Sequence, residues 1–132
     1  MVMNTKEDIL VVDDDELIRK IVCLLLSTLG YHPTPAQDAI EAIDCMKNND
    51  SFQLVLTDIN MPQMDGWQLA RHIKDLKPDM PIVALTGEAP DVIFPKLPGS
   101  GIDHALFQPI KFEILRDAMS SIMQSEWMKC AI

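Results

Sequence analysis

Three aspartates, Asp13, Asp14 and Asp58, stand where they could do chemistry together. Asp13, Asp14 and Asp15 close the apolar run Ile9–Val12, and Asp58 follows a second run, Leu54–Leu56, through Thr57. Carboxylates gathered at one place repel one another, and at least one takes up a proton unless a cation sits among them. Hard oxygen donors offered by few side chains suit Mg²⁺, which keeps several of its waters and also binds phosphate oxygens. A carboxylate can in addition act as a nucleophile and become an acyl phosphate. The metal then neutralises charge on the moving group, and nearby donors hold its oxygens. In this set Asp58 is the natural nucleophile. Thr86 supplies a hydroxyl, the residue after it a backbone N–H, and the small Gly87 lets a phosphoryl group approach.

That chemistry requires elements that bring these positions to one edge. Short apolar runs alternate with amphipathic stretches. The runs Ile9–Val12, Leu54–Leu56 and Ile82–Leu85 read as strands buried on both faces, and Ala105–Phe107 as a further strand. Ile18, Ile21, Val22, Leu25 and Leu29 recur at helical spacing and predict a helix stopped by Gly30. Asp14 or Asp15 is its expected N-cap, and capping is the blander role for Asp15 beside a third metal ligand. Ala39, Ile40, Ile43 and Met46 predict a second helix ending near residues 48–50. Leu69, Ala70, Ile73 and Leu76 mark a third, and Ile114, Leu115, Ala118, Met119 and Ile122 a last one. Segment 31–36 contains Pro33 and Pro35 and can be a strand only at a sheet edge. Pro90, Pro95 and Pro98 leave room for at most one helical turn, near Asp91–Phe94, at about 3 kcal/mol per interior proline. Strands alternating with helices predict an α/β fold with a parallel sheet covered on both faces, filling 1–132 as a single domain. The expected core spans about 8–125, followed by a short tail at 126–132. In such a sheet functional groups collect at the carboxyl ends of the strands. Those ends are Asp13 and Asp14, Asp58, Thr86 and Gln108.

The 132 residues are one domain's worth, 48% of them hydrophobic, with a net charge of −9. That charge argues against a general nucleic-acid binder, which needs a basic stripe. Cys23, Cys45 and Cys130 form no C-x-x-C pair and are expected as reduced thiols, the first two in or near the core. No signal-peptide pattern opens the sequence, and Ile9–Val12 is far too short to span a bilayer. A cytoplasmic protein with no membrane and no nucleic-acid partner is expected.

The pattern ILVVDDDELIRK, then LVLTDINMPQMDG, then IVALTG, then a proline after the last strand resembles the response-regulator receiver family of two-component signalling. The likeness runs from about Ile9 to about Ile122, with four motifs in order. It implies a flavodoxin-like, doubly wound five-stranded sheet in the order 2-1-3-4-5. It also implies phosphorylation of Asp58 by a histidine kinase or a histidine phosphotransfer protein. In the metal site it implies Mg²⁺ on Asp13, Asp14, Asp58 and the backbone carbonyl of Asn60, with Asp14 the main acidic ligand and Asp13 acting through water. Thr86 matches the hydroxyl that moves toward the phosphoryl group, and Pro109 is expected to follow a cis peptide bond. The face of the fourth helix, fifth strand and fifth helix is the expected output surface toward a downstream protein. Such a domain is not an enzyme in the usual sense.

Three departures stand out. Gln108 takes the place of the family's lysine, keeping a donor and losing the charge. Lys111 is expected to be a solvated surface lysine rather than its substitute. Ala105 replaces the usual switching aromatic, with His104 and Phe107 at neighbouring, non-matching positions; His104 is expected to be a surface residue. The fourth helix is disrupted by proline. These favour an alternative reading, a phosphorylation-independent interaction module, which the intact acids and Thr86 oppose. An FMN binder lacks its donor loop. A dehalogenase-type transferase would want an acid at Asn60. Trp67 is expected to half-pack on the third helix. For Trp127, packing on the domain and contact with a partner stay open.

Overall fold

The computed structural model describes residues 7–131, with side chains described as far as residue 124. Five parallel strands form one sheet in the order β2-β1-β3-β4-β5. They are β1 (Asp8–Val12), β2 (His32–Ala36), β3 (Phe52–Thr57), β4 (Ile82–Thr86) and β5 (His104–Phe107). Between and after them run α1 (Glu16–Thr28), α2 (Ala39–Asn48), α3 (Gly66–Leu76), the single turn α4 (Pro90–Ile93) and α5 (Phe112–Ala131). The expected fold class and strand order hold.

The central strands carry the apolar runs Ile9–Val12, Leu54–Leu56 and Ile82–Leu85 because both faces are covered there. Leu10, Val12, Val55, Ile82 and Ala84 face Ala39, Ala42 and Met46 of α2 and Leu69, Ala70 and Ile73 of α3. Ile9, Val11, Leu54, Leu56, Val83 and Leu85 face Val22 and Leu26 of α1 and Leu115, Met119 and Ile122 of α5. Cys45 packs against the first of these clusters and Cys23 against the second, both partly buried and unpaired.

β2 is an edge strand despite its prolines, for a backbone reason. The N–H of His32 and the carbonyl of Ala36 pair with the Glu7 carbonyl and the Asp13 N–H. Alternate residues therefore face β1, and Pro33 and Pro35 fall on the outer side where no N–H is required. Gly30 closes α1 at φ 97°. Its N–H reaches the Ser27 carbonyl, and the Tyr31 N–H reaches the Leu26 carbonyl, the paired bonds of a left-handed helix stop.

The helical faces are narrower than the apolar spacing suggests. Ile21, Ile40, Leu76 and Ile114 share the helical spacing that marks these helices but are 45%, 56%, 45% and 53% exposed. Ala42 and Leu26, which that spacing passed over, are fully buried. The sheet covers one stripe of each helix, and apolar residues flanking the stripe remain in solvent. Trp67 on α3 is partly buried against the core, as expected.

The segment after β4 makes one α turn and then a 3₁₀ turn, Phe94–Lys96. Pro95 thus lies inside the 3₁₀ turn rather than beyond a break, since an early position in the turn has no N–H to lose. Ile93 anchors the segment at 1% exposure, while Phe94 lies outside, edge-on to Phe107 at 5.5 Å between ring centres. α5 extends through Ala131, so residues 126–131 continue the helix instead of forming the expected tail. The side chain of Trp127 lies outside the described residues. Among the described residues no helix is long and apolar enough to cross a membrane.

Candidate functional site

At the carboxyl edge of the sheet, the strand ladder runs one residue past β1 and β3. The Asp13 N–H donates to the Ala36 carbonyl at 3.2 Å, and the Asp58 N–H donates to the Val12 carbonyl at 2.9 Å. This pins the two acids at the ends of adjacent strands. Asp13, Asp14 and Asp58 each offer a carboxylate oxygen within 4.8 Å of the others. Asp13 is buried, Asp58 partly buried and Asp14 exposed.

The turn from β1 into α1 is organised by its own acids. One carboxylate oxygen of Asp13 accepts the Asp15 N–H at 2.9 Å. Asp15 in turn accepts from Leu17 and Ile18 as the N-cap of α1, so the capping role for Asp15 holds. The Arg19 guanidinium donates to the Asp13 carbonyl at 2.7 Å.

Burial pushes the Asp13 carboxyl up to about 6; the Asp15 N–H opposes this, and the negative charges of Asp58, Asp14 and Asp15 add to it. Asp58 is also raised, first by burial and further by Asp14 and Asp15. Hydrogen bonds from the Ile59 and Asn60 N–H groups restrain it, the former at 2.7 Å. Three converging hard oxygen donors whose charges resist one another fit a divalent cation such as Mg²⁺, which relieves the repulsion that now favours protons.

Gly66 sets the floor beneath Asp58. A β-carbon there would meet the Asp58 carbonyl oxygen at 2.3 Å and the Ile59 α-carbon at 2.9 Å. Its N–H donates to the Ile59 carbonyl at 2.7 Å. Asp65 and Gln68 form a reciprocal capping box that starts α3 at this point. In the sequence, an Asp-Gly pair just ahead of an amphipathic stretch, with Gln68 three residues after Asp65, is the signal for this start.

Thr86 ends β4, fully buried, and its hydroxyl oxygen accepts the Glu88 N–H at 3.0 Å. Glu88 was not singled out from the sequence, yet its carboxylate accepts from the Asn60 side chain at 2.9 Å. It thereby bridges the loops after β3 and β4. Gln108, partly buried, donates its N–H to the Thr86 carbonyl at 2.8 Å. Its side-chain oxygen lies 3.5 Å from where a β-carbon on Gly87 would stand. Asp13, Asp14, Asp58, Asn60, Thr86 and Gln108 are thus gathered along one edge. The peptide bond from Gln108 to Pro109 is cis. Lys111 and His104 are exposed, as expected. Beside the site, between α1 and the loop after β5, lies an open apolar cavity of about 520 Å³ lined by Ile18, Ile21, Val22, Gln108 and Ile110 among others.

A family model described as response regulator receiver domain matches residues 9–120. Over 112 residues the chain is 33% identical to the sensor histidine kinase RcsC of Salmonella typhimurium, covering 85% of this chain and 12% of the kinase. Over 118 residues it is 36% identical to the response regulator MprA of a Mycobacterium species, covering 88% of this chain and 50% of that protein. The chain therefore spans only part of these relatives. Among solved structures, the response regulator TrrA of Thermotoga maritima, in complex with Mg²⁺-BeF, superposes with a TM-score of 0.80 at 28% identity, covering 89% of this chain and 98% of TrrA.

Proposed function

Because this chain belongs to the response regulator receiver domain family, whose members serve two-component signalling, we propose that it accepts a phosphoryl group on Asp58 from the phosphohistidine of a kinase or a phosphotransfer protein. The observation that carries this reading is the convergence of Asp13, Asp14 and Asp58 within 4.8 Å at the ends of β1 and β3. Asp13, Asp14, Asp58 and the Asn60 carbonyl would hold Mg²⁺, which when bound supplies charge neutralisation at the transferring group.

In the transfer, a carboxylate oxygen of Asp58 forms a bond to phosphorus. The bond from phosphorus to the donor imidazole nitrogen breaks, and its electron pair stays on the ring. The Thr86 hydroxyl and the Gly87 N–H would donate to phosphoryl oxygens. The Gln108 amide adds a neutral donor where a lysine would add charge. A domain of this kind is a phosphoacceptor rather than an enzyme that turns over an external substrate. It works in the cytoplasm, on protein partners, and its acidity disfavours nucleic acid. The α4–β5–α5 face, with the exposed Phe94 and Ile114, is the side from which a downstream protein reads the state.

The test is incubation with Mg²⁺ and acetyl phosphate or phosphoramidate, followed by intact mass. The expected outcome is a gain of about 80 Da, one phosphoryl group on a nucleophilic carboxylate, that is lost in Asp58→Asn. Absence of any gain in a folded protein that also fails to bind beryllofluoride would count against phosphoacceptance.

A further inference from the structure

The turn that carries two of the three acids is held by a side chain from outside the cluster. Asp13 spends its N–H on the Ala36 carbonyl and one carboxylate oxygen on the Asp15 N–H. Its carbonyl accepts Nη1 of Arg19 at 2.7 Å, at the short end for a charge-assisted bond. Arg19 is partly buried, and its own backbone is fixed, its N–H donating to the Asp15 carbonyl at 2.9 Å. The bond therefore ties the peptide plane between Asp13 and Asp14 to the first turns of α1. That plane sets the direction in which Asp14, itself exposed, leaves the backbone.

We propose that Arg19 is a positioning residue of the cation site: it holds the Asp13–Asp14 peptide so that both carboxylates face Asp58 before the metal arrives. The inference rests on reading the acids as a Mg²⁺ site. It differs in sign from a purely electrostatic role. A guanidinium beside the acids repels a divalent cation, so charge alone predicts tighter Mg²⁺ binding once Arg19 is removed. Positioning predicts weaker binding, by about tenfold or more, the usual cost of losing a partner that orients metal ligands.

The experiment is calorimetric titration of the full chain with Mg²⁺ alone, first on the wild type and then on Arg19→Met, Arg19→Gln and Arg19→Lys. The methionine and glutamine variants are expected to bind about tenfold more weakly. Either suffices if the other does not fold. Lysine, which keeps a charged donor of similar reach, is expected to stay within about threefold of wild type. Amide exchange at Asp14 and Asp15 in the metal-free protein should quicken in the first two variants and not in the third. Binding by the methionine or glutamine variant that equals or exceeds wild type overturns the proposal. A wild type that binds no Mg²⁺ overturns the site reading beneath it, and does so before any variant is made.

Discussion

Gln108 lies over Gly87 with its oxygen 3.5 Å from the space a β-carbon there would take, so it stands at the site and not merely at a matching place in the chain. A charged donor to a phosphoryl oxygen is worth about 1 kcal/mol more than a neutral one. Gln108→Lys should therefore bind beryllofluoride about fivefold more tightly, measured by titration in Mg²⁺; unchanged affinity would show that this side chain does not reach the phosphoryl group. Asp13 carries a second prediction. Its folded carboxyl is raised to about 6 by burial and by its acidic neighbours. For a raised group, the folded state binds more protons than the unfolded chain between the two values. Its contribution to stability is full below pH 4 and is lost as the pH rises through 6. The metal-free protein should accordingly gain stability from Asp13 as the pH falls from 7 to 5. Asp13→Asn should remove that gain while abolishing Mg²⁺ binding. Melting temperature against pH in a chelator measures the first, and calorimetric titration with Mg²⁺ measures the second.

Among the elements, the loop from β3 to α3 has the least tolerance. Gly66 touches the backbone of Asp58, which cannot step aside as a flexible side chain can. Gly66→Ala should cost about 1–3 kcal/mol as overpacking, and displacement of Asp58 should lower its phosphorylation in parallel. Asp65→Ala removes only the cap of α3 and should cost about 1 kcal/mol, leaving the mass gain on Asp58 intact. Urea unfolding and intact mass on the two variants separate an element that is merely held from one that sets the site. The α4 turn depends on Ile93, and truncation to alanine should cost about 2–5 kcal/mol.

For the whole molecule, the site lies where the chain reverses its winding. From β1 the connection through α1 leads outward to β2, and from β3 the connection through α3 leads the other way to β4. Adjacent strand ends β1 and β3 therefore open a crevice free of crossing connections. A cation held by acids on both strands binds only the folded chain. Mg²⁺ at a hundred times its dissociation constant should raise the free energy of unfolding by about 2.7 kcal/mol, and Asp14→Ala should abolish the increment in urea titrations.

Much of this was open to reading before any fold was seen. Leu54–Leu56 and Ile82–Leu85 stand out because a parallel strand covered on both faces must be apolar at every position, and the polar residue ending each run then marks the functional edge. Asp13, Asp14, Asp58 and Thr86 follow from local pattern alone, as does the edge placement forced by Pro33 and Pro35. What local pattern could not decide is which side of an apolar helix meets the sheet: Ile21 and Ile40 have the right spacing and still face water, because the width of the covered stripe depends on the partner surface. Nor could it decide contacts between segments far apart in the chain, Asn60 with Glu88 and Gly66 with the Asp58 carbonyl. Residue type and spacing determined the chemistry on offer and the elements that carry it. The tertiary structure alone decided which groups converge, since a distance across strands depends on register and crossover, and neither is written in any one stretch of sequence.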